Sequence, residues 1–144
     1  MKITTLGFLI TAVCILQAPT SNAAGPEAAR RTYAENYKDM VMATCLTTAY
    51  RQNREISKDV GSSISALIEW TYYDMDKSPD AVNALVNKYL SRDYYNPIVE
   101  SEVKGVRFDY LKCLDLYHSD ELNSLVNHIV YEPQHTYIQD TEHL

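Results

Sequence analysis

The sequence predicts an all-α, single-domain bundle of about five helices carrying one disulfide. Apolar residues recur at three- and four-residue spacing along most of the chain, the period of a helix that buries one face. No stretch sustains the apolar–polar alternation of a half-buried strand. Helix punctuation separates the periodic segments, most clearly at Ser78-Pro79-Asp80 and at Ser119. The length of 144 residues suits a single core.

The first segment reads as a leader. Met1-Lys2 is a short positive start, Ile3 to Leu16 is apolar apart from Thr and Gly, and Ser21-Asn22-Ala23 places small residues at −3 and −1 of a cleavage site. Residues 1–23 are therefore expected to be a signal peptide and 24–144 the helical domain. The apolar run is short for a bilayer span, and Pro19 follows it closely. Val13 stands where a lipoprotein would need a small residue before Cys14. Export implies an oxidising compartment and a domain that contacts no membrane once the leader is cut.

Residues 24–32, with Gly25, Pro26 and Arg30-Arg31, read as a frayed mature terminus. The first helix is expected from about Tyr33 to Arg51, with Tyr37, Val41, Cys45 and Ala49 on one stripe and Met42, Leu46 and Tyr50 on a second. Two apolar stripes mark a helix that is central in a bundle or shared with another subunit. The second helix lies within Glu55 to Asp76, on a stripe of Val60, Ile64, Leu67, Ile68, Tyr72 and Met75, and Trp70 and Tyr73 fall off that stripe. Ser78 as N-cap, Pro79 in the first helical position and Asp80 in the first turn then start a third helix, with Val82, Leu85, Val86, Tyr89 and Leu90 on one face. Ser91 to Gly105 shows no helical period and reads as a long loop. A fourth helix, Val106 to Tyr117, presents Tyr110, Cys113, Leu114 and Tyr117. Ser119 caps a fifth, with Leu122, Leu125, Val126 and Ile129 facing inward. Pro133 ends regular structure and leaves a polar tail.

Nineteen acidic side chains face 13 basic ones, and the leader removes one of the latter, Lys2. That balance disfavours nucleic acid, which needs clustered Lys and Arg, and fits a basic protein partner or mere solubility. Cys45 and Cys113 are the two cysteines beyond the leader, and in an oxidising compartment a disulfide between them is the expected state. Closing a loop of about 70 residues is worth roughly 4 kcal/mol in the chain-entropy account. Both cysteines sit among apolar neighbours in helical patterns, which suits a staple better than a reactive thiolate.

Catalytic signals are weak. Asp115 and His118 share a helix face and could form an acid-oriented base, but a histidine at a helix C-terminus is already favoured by the dipole. His128, His135 and His143 lack metal-ligand spacing. There is no phosphate loop, nucleophile elbow or HExxH, so neither an enzyme nor a cofactor or metal is expected. Tyrosine is what stands out: twelve residues, against a single phenylalanine, Phe108, beyond the leader. Tyr72, Tyr89, Tyr110 and Tyr117 are in register with apolar stripes and are assigned to core edges. Tyr94 and Tyr95, in the loop, are equally suited to packing and to contact with a partner.

Four blocks, in order, resemble a known family: DMVMATC over Asp39 to Cys45, WTYYDMD over Trp70 to Asp76, KYLSRDYYNP over Lys88 to Pro97, and FDYLKCLDLYH over Phe108 to His118. Together they are similar to the immunity proteins of type VI secretion amidase-effector systems, the family guarding against the fourth class of amidase effectors. The resemblance implies a small, periplasmic, all-helical homodimer that inhibits a cognate papain-like cysteine amidase cutting the D-glutamate to diaminopimelate link of peptidoglycan. Both cysteines fall where the family has its pair. It also implies a protruding loop that enters the amidase cleft. Ser91 to Gly105 is taken as that loop, with Asp93, Tyr94, Tyr95, Asn96, Glu100 and Glu102 as partner contacts. The segment Ile98 to Arg107 departs from the family pattern, being longer and more acidic. Trp70 and Tyr73 are candidates for the dimer face, with packing against the first helix the equal alternative. A different class, an acidic periplasmic chaperone or adaptor binding clients through Tyr-rich surfaces, is the alternative to the immunity reading.

Overall fold

A computed structural model describes residues 25–142, apart from the side chains at 100 and 101. The signal peptide assigned to 1–23 thus lies outside the described residues. A 3-10 turn, Glu27–Arg30, precedes seven helices: α1 (Tyr33–Ala49), α2 (Arg54–Ile68), α3 (Ser78–Leu90), α4 (Pro97–Glu102), α5 (Asp109–Tyr117), α6 (Asp120–Ile129) and α7 (Tyr137–Thr141). The five longer helices are the five expected, and α4 and α7 are short additions. Among the described residues β pairing is limited to two isolated bridges, Thr32 with Thr136 and Tyr73 with Val130. No described helix is long and apolar enough to cross a membrane.

Helix α1 is the axis, packed on α2, α3, α5 and α6. Thr32 and Glu35 form a capping box at its start, and those hydrogen bonds hold the Glu35 carboxyl below its ordinary range. Its four-residue stripe of Tyr33, Tyr37, Val41 and Cys45 is buried against Val82, Val86 and Tyr89 of α3, Leu116 of α5, and Leu122, Val126 and Ile129 of α6. The second stripe, Met42 and Leu46, packs at the margin of this core. Cys45 and Cys113, both fully buried, are disulfide-bonded with their Cα atoms 5.7 Å apart, joining α1 to α5.

Several local expectations are corrected. Helix α2 ends at Ile68, so Tyr72 and Met75 lie beyond it. The following residues extend instead, because they find partners across the fold: Asp74 N–H donates to the Ile129 carbonyl (2.8 Å) and Tyr131 N–H to that of Tyr72 (3.0 Å). Aromatic residues favour such extended pairing over a helical end. Ser78 does not cap α3. Its hydroxyl is buried 2.7 Å from that of Tyr37, and Asp74 accepts from the Asp76 and Lys77 N–H groups just upstream. Tyr110, assigned to a core edge, is 53% exposed.

Both ends of the described residues are tied to the bundle. Ala28 is buried, and its carbonyl accepts from the Asn36 side chain at 2.8 Å. Beyond Pro133, Thr136 and Gln139 form a second capping box that starts α7. The Tyr33 and Ala34 N–H groups, orphans of the first turn of α1, donate to the carbonyls of His135 (2.8 Å) and Pro133 (2.9 Å). The expected polar tail is therefore a strap that completes α1.

Candidate functional site

The segment between α3 and α5, residues 91–108, is not a plain loop. Asn96 accepts from the Ile98 and Val99 N–H groups (3.0 and 3.3 Å), and Pro97 occupies the first helical position of α4. Asn96, unlike Ser78, does cap the helix that its proline starts. The segment carries in α4 a helix that packs little against the others. It returns through Gly105 (φ 75°) and Phe108 (φ 54°). Positive φ costs glycine nothing, whereas a bulky aromatic there is strained and must be held by its surroundings.

The root of the segment is anchored by polar contacts. The Arg92 guanidinium stacks 3.6 Å from the Tyr89 ring centroid and reaches the Tyr94 hydroxyl at 3.4 Å. That hydroxyl donates in turn to Asp115 of α5 in a short hydrogen bond. Below them Lys112, only 4% exposed, donates to Asp109 (3.1 Å) and to the Leu90 carbonyl (3.2 Å). Arg107 closes on the other oxygen of Asp109 at 3.4 Å.

Exposed apolar side chains gather in and beside the segment. Of eight exposed large hydrophobic side chains among the described residues, five fall between 95 and 111: Tyr95 (72%), Ile98 (73%), Val103, Tyr110 and Leu111. A cleft of about 300 Å³ lies between Asp93, Tyr94, Tyr95, Asn96, Phe108 and Leu111. Exposed apolar groups beside a rigid polar root can seat against another macromolecule.

The sequence-derived contacts divide accordingly. Tyr95, Asp93 and Glu102 are exposed, and Asn96 is exposed but occupied in capping α4. Tyr94 is half-buried and belongs to the anchor rather than the tip. The Glu100 side chain lies outside the described residues. Exposed Ile98, Val103, Tyr110 and Leu111 and buried Lys112 were not among the sequence candidates, since no periodic pattern tells which side chains around α4 and the start of α5 stay exposed. Tyr73 packs against Tyr37 (5.3 Å between centroids), so packing against the first helix holds for that ring. Trp70 is half-buried, and its carbonyl accepts from Asn36.

The other sequence candidates resolve differently. Asp115 takes the Tyr94 hydroxyl, and the His118 ring meets Tyr117 edge-on at 5.2 Å. His128 lies 2.7 Å from the Ser124 carbonyl through Nδ1. Among the described residues no cluster of His, Cys, Asp and Glu could hold a metal ion. The 91–108 segment is the candidate binding element.

Comparison with known proteins gives a family. Residues 35–126 match the family described as type VI secretion system (T6SS), amidase immunity protein. No curated protein sequence matches the chain. A solved structure from a study of new type VI-secreted toxins and self-resistance proteins in Serratia marcescens is 25% identical, with a TM-score of 0.73 over 88% of this chain and 99% of that one. A chain from the effector–immunity system Tae4/Tai4 of Salmonella typhimurium shares the fold at 21% identity, with a TM-score of 0.56 over 72% and 95% of the two chains.

Proposed function

The chain belongs to the type VI secretion system amidase immunity family, and on that premise we propose that it is a periplasmic inhibitor of a cognate secreted peptidoglycan amidase. The 91–108 segment fills the active-site cleft of that papain-like enzyme before substrate can. No bond is broken, and protection comes from affinity alone. The supporting observation is that exposed Tyr95, Ile98 and Val103 sit on an element anchored at its root, with exposed Tyr110 and Leu111 at the start of α5 just beyond it.

Tyr95 and its apolar neighbours supply the slow dissociation that a few aromatic anchors provide. Asp93, Asn96 and Glu102 form the polar rim with the exposed part of Tyr94, and Glu100 is a further proposed contact. A preformed segment limits the ordering cost on binding, and the acidic balance of the chain steers a basic enzyme toward it. In this reading the leader delivers the protein to the periplasm, and a face that includes Trp70 meets a second copy in a homodimer.

The decisive experiment titrates the oxidised protein into its cognate type VI-secreted amidase, with peptidoglycan cleavage as readout. Cleavage should stop at a fixed stoichiometry, and Tyr95→Ala should restore it. Undiminished cleavage at a large molar excess of inhibitor would end the proposal. Weak, non-stoichiometric binding of many unfolded proteins would point to a chaperone instead.

A further inference from the structure

The 91–108 segment leaves the bundle at Leu90 and rejoins it at Asp109, and one side chain touches both ends. Lys112 Nζ lies 3.2 Å from the Leu90 carbonyl and 3.1 Å from Asp109 Oδ1. It also stands 5.8 Å from the centroid of the Tyr94 ring, within the segment itself. The Leu90 carbonyl belongs to the last turn of α3, which has no intrahelical partner of its own to offer it. A lysine is seldom buried unless paired; this one pairs with Asp109 one turn back on α5 and reaches across the mouth of the segment to the Leu90 carbonyl. The disulfide at the adjacent Cys113 fixes the stretch of α5 from which it reaches.

We propose that Lys112 is the positioning residue of the inhibitory segment, a clasp that ties its two stems together and so presets the conformation that meets the amidase. This inference rests on the inhibitory reading of that segment. Lys112 is buried and touches no partner; it acts by raising the fraction of molecules whose segment is already competent. Losing the clasp lowers that fraction, and apparent affinity falls in proportion. Because the contacts made in the complex are unchanged, the loss appears in association rather than dissociation.

The test compares full-length oxidised protein with its Lys112→Met variant by amide hydrogen exchange and by binding kinetics with the cognate amidase. Amides of residues 92–107 should exchange about tenfold faster while those of α1 and α6 keep their protection, and association should slow about tenfold with dissociation nearly unchanged. Unaltered exchange in the segment, or faster dissociation with unaltered association, overturns the proposal. Should Lys112→Met fail to fold, the double variant D109N/K112M, which removes both charges of the pair, carries the same measurements. If the wild-type protein does not bind the amidase, the inhibitory reading fails and this role with it, while segment exchange still reports whether the clasp exists.

Discussion

The Tyr33 hydroxyl donates to Asp140 at 2.8 Å, joining the first turn of α1 to the last described helix across 107 residues of sequence. Asp140 also meets His135 Nδ1 at 3.0 Å. The hydrogen bond from Tyr33 and then that from His135 hold the Asp140 carboxyl below its ordinary range. Burial, then Asp140, push the Tyr33 phenol well above its own.

From these shifts a pH dependence of the strap follows. A carboxylate with a depressed folded pKa stabilises above its unfolded value, and that contribution is lost as pH falls through the folded one. A phenol with a raised pKa stabilises below its unfolded value and loses that contribution as pH climbs toward the folded one. Amides of α7 should therefore lose exchange protection at pH below about 4 and above about 10 while the core keeps its own. Asp140→Asn should remove the acid limb. Loss of α7 protection only together with global unfolding would show that the strap has no separate stability.

Tyr37→Phe should cost about 1–3 kcal/mol, because it leaves the buried Ser78 hydroxyl without the partner it has at 2.7 Å. Urea denaturation measures this. The pair Y37F/S78A should cost less than the sum of its parts, since both changes remove one bond. Additive losses would mean that the two hydroxyls are independent.

Replacing Cys45 and Cys113 with alanine should lower stability by roughly 4 kcal/mol, the chain-entropy value for a closed loop of about 70 residues. The denaturant midpoint should fall for wild-type protein kept in reductant as well. A midpoint indifferent to both treatments would remove the staple from the account of stability.

Tyr94 and Tyr95 should separate. Tyr95 is 72% exposed, so Tyr95→Ala should leave the melting curve within about 0.5 kcal/mol of wild type while weakening inhibition. Tyr94→Ala breaks the bond to Asp115 and should cost about 1–2 kcal/mol of stability as well as affinity. Equal stability losses from the two variants would contradict the division into anchor and tip.

Much of this was written in local pattern. The stripe of Tyr37, Val41 and Cys45, the Ser119 cap and the inward Leu122, Val126 and Ile129 each depend on neighbours within a turn or two, and all stand in the structure. Legibility failed wherever the deciding partner was remote. Tyr72 continues a helical stripe on paper, yet the backbone of Tyr72 to Asp74 pairs with that of Ile129 to Tyr131. Helix α4 carried the Asn-Pro signal at its start but was obscured by the absence of a buried stripe. The strap at 133–141 looked like a tail because its partners, the N–H groups of Tyr33 and Ala34, lie at the other end of the domain.

The sequence by itself determined the fold class, the cysteine pair and the family, because helical period, cysteine count and motif order are properties of the chain alone. Only the tertiary structure decided that Tyr94 anchors and Tyr95 projects, and that Lys112 closes the base of the segment between them and the bundle. Burial and hydrogen bonding are set by what the rest of the fold brings to each side chain, and adjacent tyrosines of identical chemistry differ in nothing else.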